Sequence, residues 1–210
     1  TRWQNFILGN VPEDEGERVI EQVGALGFPL AVNRLRGTSV GCTGSPLCNY
    51  AVAETKLKLD EIVQHLEAQF GAQAEGIAVN VDGCPHSCAH HWTADIGLQG
   101  STLRERGEAG ERLEAYEIYL RGSLGMQAAI GRPIIRRVPA GEAKFYVERL
   151  VRAYLAEHVL GEQFKEFADR KTDEELIAIA SGRPLEEVRA EMAEKQRVRH
   201  RPAVMAGVAG

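Results

Sequence analysis

Cysteine is scarce in this sequence, with four residues in 210. That number excludes a disulfide-scaffolded fold and points to a reducing, cytoplasmic setting. A basic excess is also missing, since 25 Lys and Arg face 30 Asp and Glu for a net charge of −5. The electrostatic footprint of a nucleic-acid or anionic-membrane partner is therefore absent. No apolar run approaches the ~18–20 residues of a membrane span. The first residues, Thr1-Arg2-Trp3-Gln4-Asn5, have neither an initiator Met nor a signal-peptide layout. The expectation is a chain that starts within a longer protein. Internal repeats and low-complexity blocks are lacking too. What is present is a composition 44% apolar and 26% charged, which suits a globular chain with its own core.

Along the chain, Phe6-Ile7-Leu8 reads as a short strand. Pro12 followed by three acids reads as a helix start, and Val19, Ile20, Val23 and Leu26 recur at helical spacing up to Gly27. Residues 1–36 are thus expected to form a strand–helix–strand unit. From Thr38 the character changes to a tight Gly- and Pro-bearing loop, with a long helix predicted over about 50–70. Strands are predicted at 77–81, 94–98 and 117–120, sharing one sheet, with an exposed hairpin or loop over 101–112. Helices dominate the remainder. Val147, Leu150, Val151, Tyr154 and Leu155 form one apolar stripe, and Thr172-Asp173-Glu174-Glu175 is a capping box. Pro184 opens a charged helix over 185–196, and 197–210 is expected to fray.

All four cysteines fall into two loops, Cys42-x5-Cys48 and Cys84-x3-Cys88. Each loop joins a strand or loop to a helix, where backbone N–H groups offset negative charge on bound sulfur. Two thiolates from each loop can surround one compact metal centre. Buried structural cysteines do not pair at short spacings beside Gly and Pro. Zinc remains open, although an x5 spacing lies outside the x2–x4 range usual for a zinc pair. An iron–sulfur cluster held by four thiolates suits the spacing best.

The residues Cys42-Thr43-Gly44 with Cys48, Ala53-Glu54-Thr55-Lys56, Gly83-Cys84-Pro85-His86-Ser87-Cys88 and Ala94-Asp95-Ile96-Gly97-Leu98-Gln99-Gly100 together resemble the siroheme-dependent nitrite and sulfite reductases. The resemblance runs over about residues 1–178. It implies a 4Fe–4S cluster ligated by Cys42, Cys48, Cys84 and Cys88, with Cys88 shared as the axial thiolate of a siroheme. It also implies an α+β fold, a mixed sheet covered by helices. Three segments follow from it: a partial ferredoxin-like unit over 1–37, a siroheme- and cluster-binding domain over 38–170, and a helical extension over 171–210.

The reaction implied is the multi-electron reduction of nitrite to ammonia with a ferredoxin-type donor. Sulfite reduction to sulfide is the alternative, and a non-catalytic 4Fe–4S electron-transfer module or a zinc-stabilised interaction domain are the other classes. Nitrite leads through the wording of Cys42-Thr43-Gly44 and Ala53-Glu54-Thr55-Lys56. Members of the family have two pseudo-symmetric halves, and this chain resembles the second. Partners implied are therefore the electron donor, a small anion and a first half that supplies most cations for the siroheme carboxylates and the substrate. Near the cysteine loops, Arg34, Arg36 and Lys56 make no dense basic cluster, and an apolar surface is expected beside them. Arg121, Arg132, Arg136 and Arg137 flank glycine-bearing loops and are candidates for meeting siroheme carboxylates, weighed against being solvated surface arginines. His86, His90 and His91 crowd the second loop. His86 is expected to give a hydrogen bond near the cofactors, Asp82 and Asp95 to act as turn and cap residues, and Trp92 to pack.

Overall fold

A computed structural model describes residues 3–28 and 34–199. Its centre is a five-stranded mixed sheet in the order β1 (Val40–Gly41), β2 (Val79–Asp82), β3 (Ile96–Arg106), β4 (Arg112–Leu120) and β5 (Arg132–Pro139). β1, β2 and β3 run parallel, and β3, β4 and β5 continue as an antiparallel meander. With helices packed around this sheet, the fold is α+β, as the sequence predicted.

The pairing explains the residue types. β2 lies inside the parallel part, and all four of its residues are buried, which is why Val79 and Val81 alternate with polar residues that need internal partners. Those partners exist: Asn80 Oδ1 accepts from Val40 N at 3.2 Å, and Asp82 Oδ1 accepts from Ala89 N at 2.7 Å. The predicted strand over 77–81 starts later because Ile77 N is used in a turn to Ala74 O and Ala78 N donates to Asp95 Oδ2. The polar 101–112 stretch is a hairpin whose strands run almost to its tip, closed by Gly107 N to Glu111 O at 3.0 Å. β5 was not predicted. Pro133 and Pro139 interrupt its pattern, and both are tolerated because β5 is an edge strand.

Helix α1 (Gly16–Ala25) forms where predicted, yet it buries no residue, and Ile20 and Leu26 are exposed. Phe6, Ile7 and Leu8 are exposed without regular structure, so the expected first strand does not form. The strand expected after α1 falls on 29–33, outside the described residues, and a short helix, α2 (Arg34–Thr38), follows. Helix α3 (Lys56–Phe70) begins six residues later than predicted. The intervening N–H groups are spent elsewhere, Val52 N on Gly83 O, while the Glu54 carboxylate accepts from Lys56 N and Lys58 N at 3.0 and 2.8 Å. α3 covers β1 and β2 with Ile62, Val63 and Leu66.

Helix α4 (Ala143–Glu157) buries Val147, Leu150 and Val151 against α3 and α6 (Asp173–Ser181). The short α5 (Phe164–Asp169), which was not predicted, adds Phe164 and Phe167 to the same core. The capping box at Thr172 forms in both directions, with Glu175 N to Thr172 Oγ1 at 3.2 Å and Thr172 N to Glu175 Oε2 at 2.7 Å. Helix α7 (Leu185–Arg199) extends past the predicted end and packs on α6, and the rest of the expected frayed tail lies outside the described residues. No helix among the described residues is long and apolar enough to cross a membrane.

One carboxyl inside this frame works against folding. Burial pushes Asp95 up to about 6, only partly offset by the Ala78 N–H it accepts. The protonated form is favoured in the fold, so its contribution is present below the ordinary carboxylate range and is lost as pH rises through 6. Asp95→Asn keeps an acceptor for Ala78 N without the charge. It is expected to raise stability by about 1 kcal/mol at pH 8, with the gain vanishing near pH 4, as read from melting temperatures at the two pH values.

Candidate metal centre

Parallel pairing puts the carboxyl ends of β1 and β2 side by side, and both cysteine loops leave from that end. Cys42 follows β1 directly, its N–H donating to Val81 O at 3.0 Å as the next rung of the ladder. Asp82 ends β2, and Gly83 and Cys84 follow it. The first loop then folds back over the second: Ser45 N donates to Ala53 O at 3.1 Å, Cys48 N to Gly44 O at 3.0 Å and Val52 N to Gly83 O at 2.8 Å.

Only glycine fits at two points of this crossing. A Cβ on Gly83 would lie 2.7 Å from Ala51 Cβ and 2.8 Å from Ala53 O, and one on Gly100 of β3 would lie 2.5 Å from Gly83 O. Three backbone layers meet there without room for a methyl group.

The result is one cavity of about 410 Å³ with all four cysteines on its wall and Tyr50, Ala51 and His86 beside them. None of the cysteines is in a disulfide. Cys84 is buried, Cys42 and Cys48 are half-buried and Cys88 is exposed. Among the described residues no three His, Cys, Asp or Glu side chains come close enough together to hold a single metal ion.

Their neighbourhood is chemically specific. Gly83 N donates to Cys42 Sγ at 3.3 Å, and Cys84 Sγ lies 3.4 Å from His86 Nδ1. Cys88's thiol is raised above its ordinary value by residual burial and then by the negative charges of Asp82, Cys42, Cys84 and Cys48. Four thiolates here repel one another, and a cationic metal group is what would relieve them.

The three histidines crowded in sequence separate in space. His86 faces the thiols, as expected, with its ring edge-on to Tyr50 at 5.2 Å. His90 is exposed in a left-handed turn. His91 is wholly buried, its Nδ1 2.8 Å from Asp82 Oδ2. Asp82 does cap the turn after β2, accepting from Ala89 N at 2.7 Å. Trp92 packs edge-on to His91 and is 40% exposed.

Sequence reasoning missed the residues that hold the first loop. Thr55 Oγ1 donates to Cys42 O at 2.7 Å, Glu114 Oε2 of β4 accepts from Glu54 N at 3.2 Å, and the buried Tyr116 hydroxyl donates to Glu54 O. Thr55 stands in the Ala53-Glu54-Thr55-Lys56 motif, whereas the only signal from β4 is Tyr116, an aromatic residue set in the strand pattern ahead of 117–120.

The candidate cations are elsewhere. Among the described residues no Lys or Arg lines the cavity. Arg36 is paired with Asp60 and Glu67 of α3, and Lys56 Nζ donates to Gly41 O. Arg121 is nearly buried and donates to Ala168 O, Lys171 O and Asp173 Oδ1 at 3.0, 2.6 and 2.7 Å, fastening α5 and α6 to the end of β4. Arg132 pairs with the same Asp173 and Arg136 with Glu117. Arg137 is exposed on β5. Exposed apolar residues do flank the cavity, with Leu47 at 85% and Tyr50 at 73%.

The family described as the nitrite and sulphite reductase 4Fe-4S domain matches residues 33–187 of this chain. A protein named sulfite reductase [ferredoxin] 1 from Mycolicibacterium paratuberculosis is 34% identical over 181 residues, covering 84% of this chain and 32% of its own length. A ferredoxin–nitrite reductase from Synechococcus elongatus is 36% identical over 129 residues, covering 61% of this chain and 24% of its own length. The solved structure of the NirA protein of Mycobacterium tuberculosis superposes with a TM-score of 0.70 at 29% identity, over 79% of this chain and 31% of that one. The chain thus spans no more than about a third of these relatives.

Arg121 offers a direct check on the division between structure and site. Arg121→Gln leaves two carbonyls and Asp173 short of donors, and is expected to cost about 1.5–3 kcal/mol in denaturant unfolding. Iron bound per folded chain is expected to stay unchanged, as measured by colorimetric iron assay after loading.

Proposed function

This chain belongs to the nitrite and sulphite reductase 4Fe-4S domain family, and from that premise we propose that Cys42, Cys48, Cys84 and Cys88 ligate one 4Fe–4S cluster, with Cys88 also the axial thiolate of a siroheme. The observation that carries this reading is the single cavity with all four thiols on its wall. The donor set fits the group: four sulfurs and no carboxylate among the described residues on one cavity wall. A bridging thiolate also suits Cys88, the most exposed of the four.

When bound, the coupled pair supplies single electrons to an anion at the siroheme iron. The chain's own residues do the rest. The Gly83 N–H donates to Cys42 Sγ and His86 stands at Cys84 Sγ, contacts that tune a thiolate-held cluster. Tyr50 and Ala51 wall the thiols from one side. Residues 38–170 form the cofactor-binding unit in this reading.

The reaction proposed is nitrite reduction to ammonia with a ferredoxin-type donor in the cytoplasm. Sulfite reduction to sulfide is the second reading, favoured by the longer alignments to ferredoxin sulfite reductases. For either anion the charge balance is completed from outside this chain. Siroheme carries many carboxylates and the substrate is an anion, yet the cavity wall holds no Lys or Arg. A companion half, seated on the apolar rim at Leu47 and Tyr50, supplies them.

Two outcomes test this. Anaerobic loading with iron and sulfide is expected to give a brown protein with a broad visible shoulder, and Cys→Ser at any of the four positions is expected to lower its iron content severalfold; siroheme would add a sharp Soret-type band and a red band. A colourless, iron-free, zinc-loaded chain would overturn the cluster assignment. Turnover is the second measurement. With dithionite-reduced dye the 210 residues alone are expected to reduce neither anion at a useful rate, and activity is expected to appear on adding a first-half chain. Robust turnover by the isolated chain would show the site to be self-contained.

A further inference from the structure

Asp82 and His91 form the most deeply buried polar pair among the described residues, at 1% and 0% exposure. Asp82 ends β2, and the 84–88 loop leaves from it. Its carboxylate then receives the chain where the loop returns: Oδ1 accepts from Ala89 N at 2.7 Å, and Oδ2 from His91 N at 3.2 Å and His91 Nδ1 at 2.8 Å. One side chain therefore staples both ends of the loop that carries Cys84 and Cys88.

His91 cannot drift from this position. Its ring stands edge-on to Tyr119 at 4.6 Å, and its carbonyl lies where a Cβ on Gly97 would come within 1.9 Å. Its Nε2 is buried without a hydrogen-bond partner, which costs the fold the desolvation of that atom. A ring that merely filled space would be better replaced by an apolar one. What the imidazole offers here is the Nδ1 contact to Asp82.

We propose that Asp82 and His91 are a positioning pair for the metal centre: together they fix the 84–88 loop and hold a partly shielded negative charge at its root. The inference rests on the cluster reading above and assigns the pair no contact with substrate.

The test is the midpoint potential of the reconstituted cluster, read by EPR during a redox titration of the full chain. A fixed negative charge disfavours the more negative, reduced cluster. Asp82→Asn removes that charge and is expected to shift the potential upward. His91→Leu leaves the carboxylate less shielded and is expected to shift it downward. His91→Asn keeps an N–H donor and is expected to stay near the wild-type value. Opposite shifts are not what general loosening of the loop produces, so shifts of the same sign, or none, would overturn the proposal. If His91→Leu holds no cluster, Asp82→Asn is judged against Asp95→Asn, which removes a carboxyl at the opposite end of the sheet. An upward shift in the first and none in the second supports the pair, whereas equal shifts or none overturn it. A wild-type chain that builds no cluster would overturn the cluster reading and this inference with it, whereas a wild-type cluster with unmoved variants overturns the inference alone.

Discussion

The contact of backbone on backbone at Gly83 is the constraint from which the site follows. Gly83 O accepts from Val52 N and closes on Gly100, and a Cβ on Gly83 would meet Ala51 and Ala53 at distances that exclude a methyl group. Because these layers touch, two loops separated by some forty residues in sequence become one wall. The same contact delays α3 to Lys56, since the preceding residues must cross the second loop before they can turn into a helix. It also aims Gly83 N at Cys42 Sγ. Fold and site share one set of hydrogen bonds.

Charge is the second organising theme. The cavity gathers four thiols, and none of the described Lys and Arg residues stands on its wall. Cations nearby are consumed in holding the scaffold: Arg36 on α3, Lys56 on Gly41 O, Arg121 on α5 and α6. A buried or half-buried guanidinium already bonded to carbonyls and carboxylates has little left to offer an anion. The centre is therefore rich in negative ligands, and a cationic metal group answers that imbalance on the inside. In the reading proposed above, anionic cofactor edges and substrate find their partners beyond the described residues. The exposed rim at Leu47 and Tyr50 is consistent with a surface that is covered in a larger assembly.

Much of the architecture was legible because its causes are local. The Thr172 capping box, the apolar stripe of α4 and the stop at Gly27 depend on residues within a few positions of one another, and each forms as the pattern predicts. β5 was not legible, because an edge strand tolerates Pro133 and Pro139 where an inner strand would not. Phe6-Ile7-Leu8 misled in the opposite direction: an apolar triplet promises a strand only if a neighbouring strand is there to pair with it, and none of the described residues provides one.

By itself the sequence determined which atoms could ligate, since the spacing of Cys42, Cys48, Cys84 and Cys88 is a covalent property and the glycines and prolines beside them restrict the chain to tight loops. It could not determine what else would stand around those sulfurs. That Asp82 would be met by His91 and not by solvent, that Glu114 and Tyr116 of β4 would hold the first loop, and that Arg121 would be spent on two helices were decided by strand register and helix docking. Such pairings join residues 9 to 62 positions apart, and their energy depends on burial, which no local pattern records and which exists only once the sheet has closed against its helices.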